Sequence, residues 1–120
     1  HGSTYSGTAL GTRVVYTVID TLQKEHLVEN AAKMGSYIVE QLTQQLADQN
    51  VSVRGFGLMI GIELPKACGE LVNVARDEYH LIVNVTAGSV IRLLPPLNIN
   101  QEQADQLIER LVKMIKDYLA

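Results

Sequence analysis

The sequence predicts an α+β domain: a small, largely antiparallel sheet of about three strands, with helices packed on one face. Three observations predict this class. Apolar residues recur at helical spacing in the first and last thirds of the chain, they alternate with polar residues in the middle, and a short turn joins two apolar runs near residue 88. The chain has 120 residues, of which 47% are hydrophobic and 19% charged, as expected for one globular domain with a modest core.

The first third of the chain predicts two helices. A four-residue apolar repeat begins at Leu10 and continues to Leu22, and a second begins at Leu27 and continues to about Asp48. The polar residues 23–26 between them predict a break or a kink. Gly35 lies inside the second repeat, where glycine costs about 1 kcal/mol relative to alanine, so it indicates close packing against a neighbour.

The middle of the chain changes period and predicts strands. Apolar residues alternate strictly from Leu58 to Leu64, and the glycines of residues 54–57 just before them indicate a bulge or a bend. Residues 81–85 and 90–94 predict two more strands. Because only the turn 86–89 separates them, we expect these two strands to form an antiparallel hairpin.

The remaining helices are predicted by spacing and capping. Apolar residues from Cys68 to Tyr79 have the spacing of a short helix. Asn100 followed by Gln103 is a capping pair, and the apolar repeat from Ala104 to Leu119 predicts a final helix.

Charge and composition exclude several classes of function. The net charge is −3 and no basic cluster is present, which argues against nucleic acid and membrane surfaces as partners. No run approaches the roughly 18 apolar residues of a membrane span. Cys68 is the single cysteine and the three histidines are scattered, so we expect neither an internal disulfide nor a metal site, and a reducing compartment fits.

Arg92 is the first candidate functional residue. It lies in the middle of the apolar run Val-Ile-Arg-Leu-Leu, which Pro95 and Pro96 end. A buried, unpaired guanidinium costs several kcal/mol, so Arg92 must be paired, exposed to solvent, or placed to receive an anion. Its donors suit a carboxylate or a phosphate, while a structural salt bridge is the simpler interpretation.

The opening residues 1–8 predict a loop with candidate anion-binding hydroxyls. Ser3 and Thr4 stand next to glycine, and small hydroxyl residues beside exposed backbone N–H groups favour phosphate oxygens. A plain hydroxyl-rich turn is the alternative. None of the five lysines lies in an apolar setting that would lower its pKa, so the sequence predicts no Schiff-base nucleophile in this chain.

Three motifs resemble those of class III pyridoxal-phosphate aminotransferases, in the family's order and spacing. They are His-Gly-Ser-Thr-Tyr at residues 1–5, Arg-Gly-Phe-Gly-Leu-Met at residues 54–59, and Ile-Arg-Leu-Leu-Pro-Pro-Leu at residues 91–97. The resemblance covers essentially the whole chain. Within the family, the chain is most similar to enzymes that act on N-acetylornithine.

The resemblance implies the C-terminal small domain of a fold-type I enzyme, at residues 9–120, preceded at residues 1–8 by an active-site loop from the boundary of the large domain. It implies pyridoxal 5'-phosphate as cofactor and a cytoplasmic homodimer in which that loop reaches the neighbouring subunit. Thr4 then matches the residue that binds the cofactor phosphate, while Ser3 and Arg92 match substrate-binding positions. The family's cofactor lysine lies upstream of the loop, so we expect a part of a longer polypeptide that is inactive alone.

The expected reaction is transamination between N-acetylornithine and 2-oxoglutarate, in a biosynthetic route to arginine. Its substrates are thus a small amino acid and a 2-oxo acid. Another ω-amino transaminase, using ornithine, succinylornithine or 4-aminobutyrate, is an alternative of the same class. A non-catalytic α+β module that binds or senses a small molecule is an alternative of a different class.

Overall fold

A computed structural model describes the backbone of residues 10–120 and the side chains of residues 24–120. The elements in chain order are α1 (Leu10–Gln45), β1 (Ser52–Phe56), β2 (Met59–Glu63), α2 (Leu71–Glu78), β3 (Asn84–Thr86), β4 (Val90–Leu93) and α3 (Gln101–Leu119). The predicted α+β class is confirmed. The predicted active-site loop at residues 1–8 lies outside the described residues.

The sheet has four strands in the order β1-β2-β4-β3, and each neighbouring pair is antiparallel. The predicted hairpin of β3 and β4 is confirmed. The prediction of about three strands is wrong by one, because the glycines before residue 58 do not form a bulge in a single strand. Phe56 pairs with Met59, so Gly57 and Leu58 form a two-residue turn between β1 and β2. Gly57 adopts a φ of 58°, which glycine accepts at no steric cost.

Helix α1 runs without interruption through residues 23–26, so the predicted break is wrong. The physical reason is that glutamine, lysine and glutamate are good helix formers, and the segment contains neither glycine nor proline. A polar stretch interrupted the apolar pattern without interrupting the backbone hydrogen bonds. No helix in the described part of the chain is long and apolar enough to cross a bilayer.

The core lies between one face of the sheet and the helices α1 and α3. Its fully buried side chains come from both layers: Ile60, Ile62 and Ile91 from the sheet, Ile38 and Leu42 from α1, and Leu111 and Ile115 from α3. Each such side chain stabilises the fold by roughly 1.5–3 kcal/mol. The short helix α2 adds Leu71 and Ala75 beside the sheet. The helices thus cover one face of the sheet, as predicted.

Two local features fix the ends of the last helix and of the sheet. The side chain of Asn100 accepts a hydrogen bond from the Gln103 backbone N–H, and the Gln103 side chain accepts one from the Asn100 N–H. This confirms the predicted capping pair. The loop before it is held by Asn30 of α1, whose amide donates to the carbonyls of Leu97 (2.7 Å) and Ile99 (2.9 Å). Helix α1 therefore fixes the chain that leaves β4.

Candidate functional site

The second face of the sheet is open among the described residues and carries the candidate site. Here Arg54, Gly61, Arg92 and Asn84 form one row across all four strands, because each is paired in register with the next. The face borders a cavity of about 920 Å³ that both arginines line. This volume falls within the range of small-molecule sites, roughly 300–1,000 Å³.

Arg92 points into this cavity because of strand alternation. Its neighbours Ile91 and Leu93 are buried in the core, so the side chain between them must leave the sheet on the opposite face. A shift of register by one residue would bury the guanidinium, at a cost of several kcal/mol. The core thereby fixes the direction of the arginine.

Arg92 is exposed and makes no ion pair or side-chain hydrogen bond within residues 24–120. Of the three interpretations that the sequence left open, a structural salt bridge finds no partner in that part of the chain. Solvent exposure and anion binding remain, and both suit a guanidinium on the wall of a cavity. Its five donors can form two parallel hydrogen bonds with one carboxylate.

Gly61 leaves space beside Arg92. It lies directly opposite Arg92 on β4 and directly opposite Arg54 on β1. A β-carbon at this position would meet only the Val90 side chain, at an ordinary 3.7 Å. The cavity between the two arginines is therefore free of any intervening side chain, and two positive charges face it.

Arg54 does have a partner, on the strand beside it. Its Nη2 lies 3.4 Å from Oε1 of Glu63, a long contact between two side chains that are 65% and 49% exposed. An exposed pair of this kind contributes at most about 1 kcal/mol. The carboxylate is thus held loosely at the edge of the row.

One end of the cavity is apolar. Phe56 (84% exposed), Ile82 (88% exposed), Met59 and Leu94 line it and lie free of the core. Apolar side chains next to two cations are suited to a ligand with a carboxylate at one end and a hydrocarbon chain at the other. Neither composition nor motif spacing predicted this combination.

Titratable groups with shifted pKa values lie away from this face. Burial raises the pKa of the Cys68 thiol, in agreement with its predicted place in the core. Hydrogen bonding to Asp117 raises the pKa of Tyr79, and hydrogen bonding to Glu70 raises that of Tyr118. These groups join α3 to α2 and the loop before it, and they do not line the cavity.

The structure places one of the three predicted site residues. Arg92 lies at the centre of the open face, while Ser3 and Thr4 lie outside the described residues. Sequence reasoning missed Arg54, Gly61 and Glu63 as members of the same face. The signal that could have found them is the Gly57 turn, because a hairpin at that position sets Arg54 in register with Gly61.

Comparison with known proteins identifies the family. The sequence profile described as "Aminotransferase class-III" matches residues 1–115. The chain therefore belongs to the class III aminotransferases, as its motifs predicted. Two of its relatives are acetylornithine aminotransferase 1 of Bordetella parapertussis, 43% identical over all of this chain and 31% of that protein, and acetylornithine aminotransferase of Methanothermobacter thermautotrophicus, 44% identical over 98% of this chain and 30% of that protein.

Solved structures show the same fold. The chain resembles ornithine aminotransferase from Plasmodium yoelii with a TM-score of 0.68 and 38% identity, over 84% of this chain and 28% of that one. It resembles acetylornithine aminotransferase from Elizabethkingia anophelis with a TM-score of 0.73 and 28% identity, over 88% of this chain and 29% of that one. The chain thus spans less than a third of the length of these relatives.

Proposed function

We propose that this chain is the C-terminal part of a pyridoxal-phosphate-dependent aminotransferase that transfers the amino group of N-acetylornithine to 2-oxoglutarate. The family match and the acetylornithine aminotransferases among its relatives support the proposal. The observation that carries it is Arg92, an exposed guanidinium without an ion-pair partner in residues 24–120, aimed into a cavity.

The proposed role of Arg92 is to bind a substrate carboxylate. Both the amino acid and the 2-oxo acid of a transamination carry a carboxylate beside the reacting carbon. A forked donor fixes the plane of that carboxylate as well as its position, which orients the reacting carbon. Replacing water around the carboxylate by fixed donors strengthens the interaction once the rest of the enzyme closes the cavity.

The proposed cofactor contacts lie in the opening loop. Thr4 donates a hydrogen bond to the cofactor phosphate, and Ser3 lies beside the substrate. When bound, pyridoxal phosphate supplies the electron sink that makes the amino carbon acidic. The lysine that would hold it has no candidate here, since all five lysines belong to the described part of the chain and are exposed. We therefore assign that lysine to another part of the polypeptide.

The proposal includes a homodimer that works in the cytoplasm. Its support is the resemblance of residues 1–5 to the family loop that reaches the neighbouring subunit. The domain boundary near residue 8 belongs to the same proposal. Residues 9–120 then form the small domain, which supplies positioning and charge while the reacting groups come from elsewhere.

Ornithine is a second candidate donor. The similarity to the ornithine aminotransferase of Plasmodium yoelii, at 38% identity, favours it. A stand-alone binding module is disfavoured, because the family profile extends over residues 1–115.

The test is a comparison of amino donors. The full-length enzyme, purified with pyridoxal phosphate, is assayed with 2-oxoglutarate and each of N-acetylornithine, ornithine, succinylornithine and 4-aminobutyrate. We expect the highest kcat/KM with N-acetylornithine. A higher value with ornithine would move the assignment to that donor, and no transamination with any of them would overturn the proposed function.

A further inference from the structure

Glu63 lies between the two arginines of the open face. It is paired in register with Ser52 on β1 and with Val90 on β4. Arg54 and Arg92 stand two residues further along those strands, each on the same face as Glu63. Both arginines are therefore diagonal neighbours of Glu63, at the distance of roughly 7–8 Å that long side chains can bridge.

The carboxylate of Glu63 has two equivalent cations to choose from, and the structure shows one choice. It lies 3.4 Å from Arg54, and no ion pair joins it to Arg92. Both arginines line the cavity, whereas Glu63 does not. The contact with Arg54 thus coincides with a position of the carboxylate outside the cavity.

The other choice would occupy the proposed substrate clamp. A carboxylate two residues away on the adjacent strand competes with dissolved carboxylates at a high effective concentration. If Glu63 bound Arg92, substrate would bind only the fraction of molecules in which the arginine is free, and the apparent dissociation constant would rise by that factor.

We propose that Arg54 is a positioning residue that holds Glu63 away from Arg92 and so keeps Arg92 free for the substrate carboxylate. The inference rests on the proposed function, because it takes Arg92 as the carboxylate clamp. The alternative is that Arg54 and Glu63 form only an exposed surface pair, which contributes little to stability and nothing to binding.

The test uses the full-length enzyme with Arg54→Met, which keeps an unbranched apolar stem and removes the charge. Losing a pair worth at most about 1 kcal/mol corresponds to a rise in KM of roughly two- to fivefold for both the amino donor and the 2-oxo acid. The inhibition constant of glutarate, an unreactive dicarboxylate, should rise by the same factor. We expect kcat to stay constant, because saturating substrate displaces Glu63 from Arg92.

A second substitution separates this role from a structural one. Adding Glu63→Gln to Arg54→Met removes the competing carboxylate, so KM and the glutarate constant should return to the wild-type values. Arg110→Met on α3 is the matched control, since it removes an exposed arginine far from the open face and should change neither constant.

The outcomes distinguish this inference from the function on which it rests. Unchanged constants in Arg54→Met, or raised constants that Glu63→Gln does not lower, would overturn the role of Arg54 while leaving the clamp in place. An Arg92→Lys enzyme with unchanged constants would instead overturn the clamp, whatever Arg54 does.

Discussion

Gly35 of α1 lies directly against Gly57 in the β1–β2 turn. A β-carbon added to Gly35 would stand 1.9 Å from the Gly57 carbonyl oxygen, a distance that no packing tolerates. The contact is between two backbones, so no side chain can rotate to relieve it. The helix thereby fixes the turn that sets Arg54 opposite Gly61.

This contact predicts that Gly35→Ala destabilises the enzyme. In an ordinary helix the same substitution would stabilise by about 1 kcal/mol, so a loss reverses the usual sign. Moving the turn away should cost roughly 1–3 kcal/mol, measured as a lower free energy of unfolding. Gly69→Ala is the control, because a β-carbon there meets no atom within 4 Å. Equal stability of the two variants would contradict the close approach.

The sequence predicted the core better than it predicted the site. Apolar periodicity located α3, β2 and the β3–β4 hairpin, because burial of one face imposes that periodicity. It failed at residues 23–26, where polar helix formers continue the helix, and at residues 55–58, where a turn separates two strands. Arg92 was found because an arginine in an apolar run is costly. Its relation to Glu63 depends on strand register, which a single strand pattern does not contain.

Asn30 should contribute to stability by holding the chain that follows β4. Asn30→Ala removes two hydrogen bonds, to the carbonyls of Leu97 and Ile99. At roughly 0.5–1.5 kcal/mol each, we expect a loss of about 1–3 kcal/mol in the free energy of unfolding. Asn73→Ala in α2, which removes an exposed asparagine, serves as control and should be neutral or slightly stabilising. If Asn73→Ala costs as much, the two hydrogen bonds are not what Asn30 contributes.

Cys68 should be inert in the folded enzyme. Its side chain is fully buried and burial raises the pKa of its thiol, so little reactive thiolate forms near neutral pH. Mass spectrometry after iodoacetamide treatment should find this residue unmodified until the enzyme is unfolded. Because the folded-state pKa is raised, the contribution of Cys68 to stability is complete below the pKa of the unfolded chain, about 8.5, and is lost as pH rises through the folded-state pKa. Rapid alkylation at pH 7 in the folded state would contradict its burial.

Thr4 should matter for retention of the cofactor, if the opening loop acts as proposed. A hydrogen bond to a charged phosphate contributes roughly 1.5–3 kcal/mol, which is about a ten- to hundredfold change in affinity. We expect Thr4→Ala to raise the dissociation constant of pyridoxal phosphate by that factor without lowering the melting temperature of the apoenzyme. Thr8→Ala, later in the same segment, is the control. An unchanged constant would leave Thr4 as a turn residue.

The position of Thr4 relative to the dimer can be tested by mixing subunits. If the loop reaches the neighbouring active site, a heterodimer of Thr4→Ala and a cofactor-lysine variant has both defects in one site and one intact site. Partial activity should then return in purified heterodimers. Heterodimers that stay inactive would contradict a loop acting across the subunit interface.

The central claim is that Arg92 binds substrate, and Arg92→Lys tests it most directly. Lysine keeps the charge and loses the forked donors, so the paired hydrogen bonds to a carboxylate cannot form. We predict that kcat/KM falls by roughly tenfold or more for both the amino donor and the 2-oxo acid, since each bond to a charged group contributes about 1.5–3 kcal/mol. The melting temperature should hold, as it should in the control Arg110→Lys. A lowered melting temperature with an unchanged kcat/KM would contradict the account and make Arg92 a structural residue.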